Sequence, residues 1–421
     1  MIIKSIPKSW EIKSLEELLI FVIGGDWGKD ETHTDNEYDL AYCIRGSEIK
    51  NWEHDRGKTA SLRKIKKTNI EKRKLQVGDI LVEISGGGPE QPVGRTVLID
   101  NISLNHNKSV PKICTNFLRL IRPNENINSK FLNLYLKLFY YSGEIVKYQA
   151  GSNNLRNLKF PDYLKIKIPL PPLETQQAIV SKIEELFSEL DKGIEDLKMA
   201  QLQLKTYRQS VLKWAFEGKL TNENVKEGEL PEGWERKTFN DIIEISKEKY
   251  KPNNSESKFY IGLEHIEKNL GILTPECGFE DVKTLKNKFN VGEILYGKLR
   301  PYLNKVYLTK ENGVCSTDIL VLKTKENCDA QFLTHLMLGV DFVNTMSENT
   351  SGVNLPRVST KIILEYPINL PPLEEQHQIV QEIESRLSVA DKMEESITQS
   401  LQQAEALRQS ILKKAFSGEL V

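Results

Sequence analysis

One stretch of this chain occurs twice, and it constrains the fold more than anything else in the sequence. It runs from Leu170 to Leu220 and returns from Leu370 to Leu420. The first copy opens LPPLETQQAIVSKIEELF and closes YRQSVLKWAFEGKL; the second opens LPPLEEQHQIVQEIESRL and closes LRQSILKKAFSGEL. The copies align without a gap, and roughly 24 of 53 positions are identical, too many for chance. Each copy predicts one long helix. Pro171 and Pro172 stand at the start of the first and Pro371 and Pro372 at the start of the second, where a missing N–H costs nothing. Neither helix has an interior proline, and Gly218 and Gly418 fall near the ends, where a left-handed residue closes a helix. About 45 residues at ~1.5 Å each make a rod of roughly 65–70 Å.

Apolar residues in both copies recur at alternating spacings of three and four. The first seam is Ile183, Phe187, Leu190, Ile194, Leu197, Gln201, Leu204, Arg208, Val211 and Ala215. The second is Ile383, Leu387, Ala390, Glu394, Ile397, Leu401, Ala404, Arg408, Ile411 and Ala415. This is a coiled-coil pattern, and two such seams in one chain most simply pack on each other. The long segment between them permits an antiparallel pairing. Four seam positions are polar. Gln201, Arg208, Glu394 and Arg408 either reach to the edge of the seam or, for the two arginines in their shared RQS setting, fix register or meet a partner.

Two globular segments precede the rods. The first begins IPKSWEIKSLEELL and the second LPEGWERKTFNDII, so Pro7 and Trp10 match Pro231 and Trp234. QVGDILVEI (from Gln76) resembles NVGEILYGK (from Asn290), and GSNNLRNL (from Gly151) resembles GVNLPRVS (from Gly352). The unit of repetition is a globe followed by a rod. The expected boundaries are 1–168 for the first globe, 169–220 for the first rod, 221–368 for the second globe with a polar linker at 221–233, and 369–421 for the second rod. DILVEI, GRTVLID, CTNFLRLI and KIKIPL predict strands in the first globe, as EILYGKL, KVYLT and DILVLK do in the second. FLNLYLKLFYYSGEIVKY and QFLTHLMLGVDFVNTM each predict a helix. The expected fold is therefore α+β, with two α/β globes separated and followed by long helices in an internal repeat of pseudo-two-fold kind.

The formal net charge is −1, but it is unevenly spread. The first globe carries about +7, the first rod about −1, the second globe about −3 and the second rod about −4. The first globe alone has a basic footprint. Five scattered cysteines without a CxxC pair suit reduced thiols and a cytoplasmic setting. There is no signal peptide, no apolar run long enough to span a bilayer, and no metal-ligand spacing.

Enzyme signals are weak. Gly57-Lys58-Thr59 has the end of a P-loop, but Trp52 stands where its first glycine belongs. The acidic-Pro-Pro-aromatic motif of an amino-methyltransferase is missing, and Asp79 and Glu83 read as strand-flanking carboxylates. Several loops suit DNA contact better. The first globe has GGDWGKDE, with Trp27 and Lys29, and SGGGPEQPVGR, where Gly87 lets backbone approach phosphate and Gln91 and Arg95 could reach base edges. The second has GKLRPYLNK, which interleaves Lys298, Arg300, Asn304 and Lys305 with Tyr302. Polar turns precede each rod, with Asn153, Asn154 and Arg156 in one and Asn354 and Arg357 in the other. The basic run from Arg63 to Lys74 suggests non-specific phosphate attraction.

These residues together resemble the specificity subunit of a type I restriction–modification system. The resemblance covers essentially the whole chain and rests on the openings and closings of the rods, the globe–rod–globe–rod order and YGKLRPYLNK. It implies globes that act as target-recognition domains, each reading one half of a split, asymmetric site in double-stranded DNA. It implies rods that form an antiparallel coiled coil, set the half-site spacing and dock two modification (adenine methyltransferase) subunits. Restriction subunits would join through these. The chain itself would be non-catalytic and hold no cofactor, with S-adenosylmethionine, ATP and Mg²⁺ on the partners. The competing expectation is a scaffold protein that binds no DNA.

Overall fold

The computed structural model describes residues 6–88, 91–151, 156–222, 225–226, 229–252, 256–352 and 354–421. The chain forms two compact units that cut across the sequence segments. One comprises residues 1–196 with 400–421, the other residues 197–399. Each rod is thus shared between units. Helix Leu173–Phe216 gives its first half to one and its second half to the other, and helix Leu373–Ser417 does the reverse.

Within the first unit the two helical halves run antiparallel. Ile179, Val180 and Ile183 share a core with Ile411, Leu412, Ala415 and Phe416, while Asp191 further along pairs with Arg408. The second unit repeats this. Val211, Leu212 and Ala215 share a core with Ile379, Val380 and Ile383, and Arg208 meets Asp391 at 2.6 Å and Glu394 at 2.9 Å. The polar seam arginines therefore bridge the helices. Arg408 also lies over the Phe187 ring, 4.6 Å from its centroid. Phe187, Leu190 and Leu401 in the first unit, and Leu197, Leu204 and Leu387 in the second, are half-buried along the seam, and Ile383 and Ile397 are buried.

The repeated motifs become intelligible as anchors. Trp10 precedes a strand, Glu11–Ser14, that pairs antiparallel with Lys167–Leu170 at the entry to the first rod; Glu235–Thr238 pairs with Pro367–Leu370 in matching register. Gln176 is fully buried. It donates to the carbonyls of Pro171 (2.8 Å) and Asn126 (3.1 Å) and accepts from the Asn128 N–H (2.7 Å). Gln376 does the same with Pro371, Asn327 and Asp329. At the far ends, Gly418 (φ +78°) leaves no room for a Cβ, which would come within 2.4 Å of Pro7 Cγ. Gly218 (φ +76°) is pressed against Pro231 in the same way. The closing glycine of each rod is the seat for the proline–tryptophan opening of a globe. The linker is pinned too, since Thr221 and Asn222 donate to the Glu375 carboxylate.

Each globe is built on an antiparallel four-stranded sheet of the same order. In the first it runs Leu19–Gly24, Leu118–Pro123, Ile80–Glu83, Thr96–Leu98; in the second Ile243–Ile245, Ile319–Thr324, Ile294–Gly297, Val306–Leu308. A further sheet, not anticipated from the sequence, packs beside each. It has three strands in the first globe (Tyr38–Ile44, Ser61–Lys66, Lys112–Cys114) and five in the second. CTNFLRLI, expected as one strand, is two. Lys112–Cys114 lies in the added sheet, Leu118–Pro123 in the main one, and a turn joins them. Both expected helices are also broken by glycine: Ser129–Tyr141 stops before Gly143 (φ +79°), and Ala330–Leu338 is separated from Val340–Glu348 by Gly339.

Candidate nucleic-acid interface

The main sheet dictates where the loops emerge. Residues 84–95 join its strands Ile80–Glu83 and Thr96–Leu98, and residues 298–305 join the equivalent pair in the second globe. The two loops picked out separately in the sequence are thus one loop in two versions. Two hydrogen bonds fix its root. Ile84 donates to the Phe117 carbonyl (2.9 Å) and accepts from the Leu158 N–H (2.8 Å). Lys298 donates to the Asp318 carbonyl (3.1 Å) and accepts from the Val358 N–H (3.1 Å). In each globe this gathers three segments: the long loop, the turn between the two sheets, and the segment leading to the rod.

The first globe adds a fourth segment. Gly25 lies so close to the Thr115 carbonyl that a Cβ would sit 2.1 Å from it. Asp26 caps its own turn by accepting from the Gly28 N–H and is held by Asn69. Arg73 donates to the Gly24 carbonyl, and Arg63 donates to the Trp27 carbonyl while covering the Trp27 indole at 4.5 Å. Two cations of the basic run are therefore spent on positioning this loop. Lys29 is exposed, its backbone bridged to Lys64.

Several sequence candidates turn out to face inward. Arg95 grips the buried Glu83 with two nitrogens, at 2.9 and 2.5 Å, and donates to the Gly46 carbonyl; Glu83 in turn holds the guanidinium pKa above its ordinary value. Gln91 is exposed, and its amide oxygen, in the orientation that satisfies both groups, accepts from Arg95 at 3.1 Å. Asp79 flanks strand Ile80–Glu83 as expected and is the buried partner of Arg122, at 2.6 and 2.9 Å. Gly87 is buried and pairs with Arg156, which is half-buried. Asn153 and Asn154 lie outside the described residues. In the second globe Asn304 is 1% exposed, and Lys305 is half-buried and donates to the Leu263 carbonyl at 2.5 Å. Lys298 is half-buried, and Arg357 pairs with Asp318 at 3.3 Å. Arg300, Tyr302 and Asn354 are exposed. Arg300 holds a left-handed backbone (φ +51°), fixed by its N–H to the Pro356 carbonyl at 2.7 Å.

The sequence reading missed the turn between the sheets. Thr115, Asn116 and Phe117 line an open cleft of about 700 Å³ in the first globe, together with Trp27, Arg45 and Lys50. The signal was the polar-aromatic TNF inside an apparent strand. Burial pushes the thiols of Cys43, Cys114, Cys315 and Cys328 up to about 12, so none of them is a thiolate nucleophile at neutral pH. Among the described residues no group of His, Cys, Asp and Glu is placed to hold a metal ion.

Comparison with known proteins points the same way. The type I restriction modification DNA specificity domain matches twice, at residues 7–198 and 231–404. The chain is 31% identical to the type I restriction enzyme EcoDI specificity subunit of Escherichia coli, over 62% of this chain and 63% of that subunit. It is 25% identical to the EcoKI specificity subunit of E. coli K12, over 99% of this chain and 90% of the relative. Among solved structures, the HsdS subunit from Thermoanaerobacter tengcongensis has the same fold, with a TM-score of 0.61, 18% identity and 98% of both chains covered. A chain from the structure describing complex assembly and conformational transition of the type I R-M system superposes with a TM-score of 0.74 and 18% identity, over 98% of this chain and 99% of the other. With both globe–rod repeats matched, the chain belongs to the type I restriction modification DNA specificity family.

Proposed function

We propose that this chain is the non-catalytic DNA-recognition subunit of a type I restriction–modification complex. Each globe reads one half of a bipartite, asymmetric site in duplex DNA. The paired rods set the distance between the halves and dock two modification subunits, through which restriction subunits join. Adenine methylation with S-adenosylmethionine, and ATP- and Mg²⁺-dependent cleavage, belong to those partners, in the cytoplasm where the DNA lies. Among the described residues no helix is long and apolar enough to cross a membrane. The observation that carries this reading is the coincidence of the two family matches with two globes that bear equivalent loops rooted by equivalent hydrogen bonds. Arg300, Tyr302 and Gln91 in those loops, with Lys29 and Asn354 on neighbouring segments, supply the exposed polar and aromatic groups that duplex recognition uses. A rod of 44 residues, about 66 Å, spans at most ~20 base pairs, which suits a fixed spacer.

Co-expression with a modification subunit, followed by long-read mapping of methylated adenines, tests the reading. The expected result is a split motif with one modified adenine on each strand. A stable complex with an active modification subunit that marks no DNA would favour a scaffold without a DNA-reading role.

A further inference from the structure

The cleft of the first globe is built for something flatter than a duplex edge. Its volume of about 700 Å³ lies within the ~300–1,000 Å³ of pockets that enclose small molecules. Trp27 and Phe117 give it aromatic walls, and Arg45 and Lys50 bring cationic groups to its lining. Phe117 is 50% exposed, on a turn too short to fold away. Leu118 donates back to the Thr115 carbonyl, Thr115 to the Ile44 carbonyl, and Ile84 to the Phe117 carbonyl, so the phenyl ring stands on a fixed backbone. Thr115 is 2% exposed and lines the cleft, and its buried Oγ1 has no hydrogen-bond partner. A buried hydroxyl left unpaired in this way marks a missing donor or acceptor.

We propose that this cleft receives a nucleobase unstacked from the half-site bound by the first globe, with Phe117 as the wedge that takes its place in the stack. The proposal rests on the DNA-recognition function above and names a specificity element within it. Each feature has its counterpart in the ligand. A base needs flat apolar walls and a polar group to read its edge, which the exposed Asn116 amide provides. Its phosphate needs a cation, and Lys50 is exposed without an ion pair among the described residues. The gap in the stack needs an apolar ring, as minor-groove wedges supply. The second globe lacks the device, because Asp318 stands where Phe117 does and is tied to Arg357. Only one half-site should show the effect.

The test uses the full complex of this chain with its modification subunits and duplexes carrying the mapped site. Unstacking is read with 2-aminopurine at purines, pyrrolocytosine at cytosines and permanganate attack at thymines. Besides the adenines that become methylated, one further position in one half-site should respond, by about threefold or more. Phe117→Ala should abolish that response and Phe117→Trp retain it. Because Phe117 is exposed, its replacement leaves the core intact. A response confined to the methylated adenines, or one unchanged in Phe117→Ala, overturns the proposal. A wild-type complex that marks no DNA overturns the recognition function itself, and this role with it.

Discussion

Replacing Gln176 by methionine should open the junction between the first globe and its rod. Methionine matches the volume of glutamine, so packing is nearly kept, but all three hydrogen bonds of the buried amide are lost. Asn126 is exposed, and its carbonyl regains a partner from water. Pro171 is buried, and the Asn128 N–H sits at the start of helix Ser129–Tyr141, so these two groups are left dry. At ~1–3 kcal/mol for each of the two unsatisfied groups, the cost is about 2–6 kcal/mol. That is a rise of roughly 30-fold to ten-thousandfold in the local opening constant. Hydrogen exchange by mass spectrometry reads it directly, as faster exchange over residues 124–136 and 171–180. Gln376→Met should act equally on residues 325–337 and 371–380, because its three bonds are the same. A change below about threefold in both variants would show that the glutamines are not the anchors.

Other outcomes follow from the same contacts. His335 is held neutral by burial, its pKa lowered to about 4, with both ring nitrogens closed off and unpaired. The unfolded chain takes up that proton near pH 6.5, so stability is full above this and falls as the pH drops towards 4, by about 3 kcal/mol. His335→Leu should flatten this window in denaturation series run between about pH 7 and 4.5. Arg208→Ala loses the contacts to Asp391 and Glu394 and should cost about 1 kcal/mol, with an Arg208–Asp391 double-mutant cycle showing ~0.5–1 kcal/mol of coupling that weakens in salt. Arg408→Ala, which also uncovers the Phe187 ring, should cost slightly more. Arg95→Ala strands the buried Glu83 and should destabilise the fold by ~3–5 kcal/mol, visible in chemical denaturation. Arg300→Ala should leave stability within ~0.5 kcal/mol yet weaken binding to one half-site by about tenfold or more in a titration of the complex.

The rods were legible because helical periodicity is local and because the repeat shows it twice. What they join was not. The two compact units divide each rod near its middle, and nothing between Leu190 and Leu204 marks that division, since it arises from antiparallel pairing with residues far along the chain. Strand content was legible, strand partnership less so. Cys114 and Leu118 both suit a strand, but only the fold sends them to different sheets and turns Phe117 out between them. Several of the candidate contacts turn inward for a related reason. Arginine, lysine and asparagine beside glycine-rich turns are the residue types that bind DNA, yet they are also the types that hold a loop. Local sequence does not say that Arg95 finds Glu83, or that Lys305 reaches the Leu263 carbonyl.

The uneven divergence of the two halves has a physical origin in these contacts. In each rod a glutamine closes a three-bond junction, an arginine crosses to an aspartate, and a glycine makes room for a proline. None of the three tolerates a near substitute: methionine lacks the bonds, lysine lacks the planar fork, and alanine has a Cβ where Pro7 or Pro231 already lies. The loops are under no such demand. Backbone hydrogen bonds from Ile84 and Lys298 fix their roots whatever the side chain, and isoleucine and lysine occupy the same place accordingly. A rod must dock the same way in both halves, while the turn against which each loop is rooted is free to carry phenylalanine in one globe and aspartate in the other. A scaffold of this kind accepts new recognition surfaces without altering its own assembly.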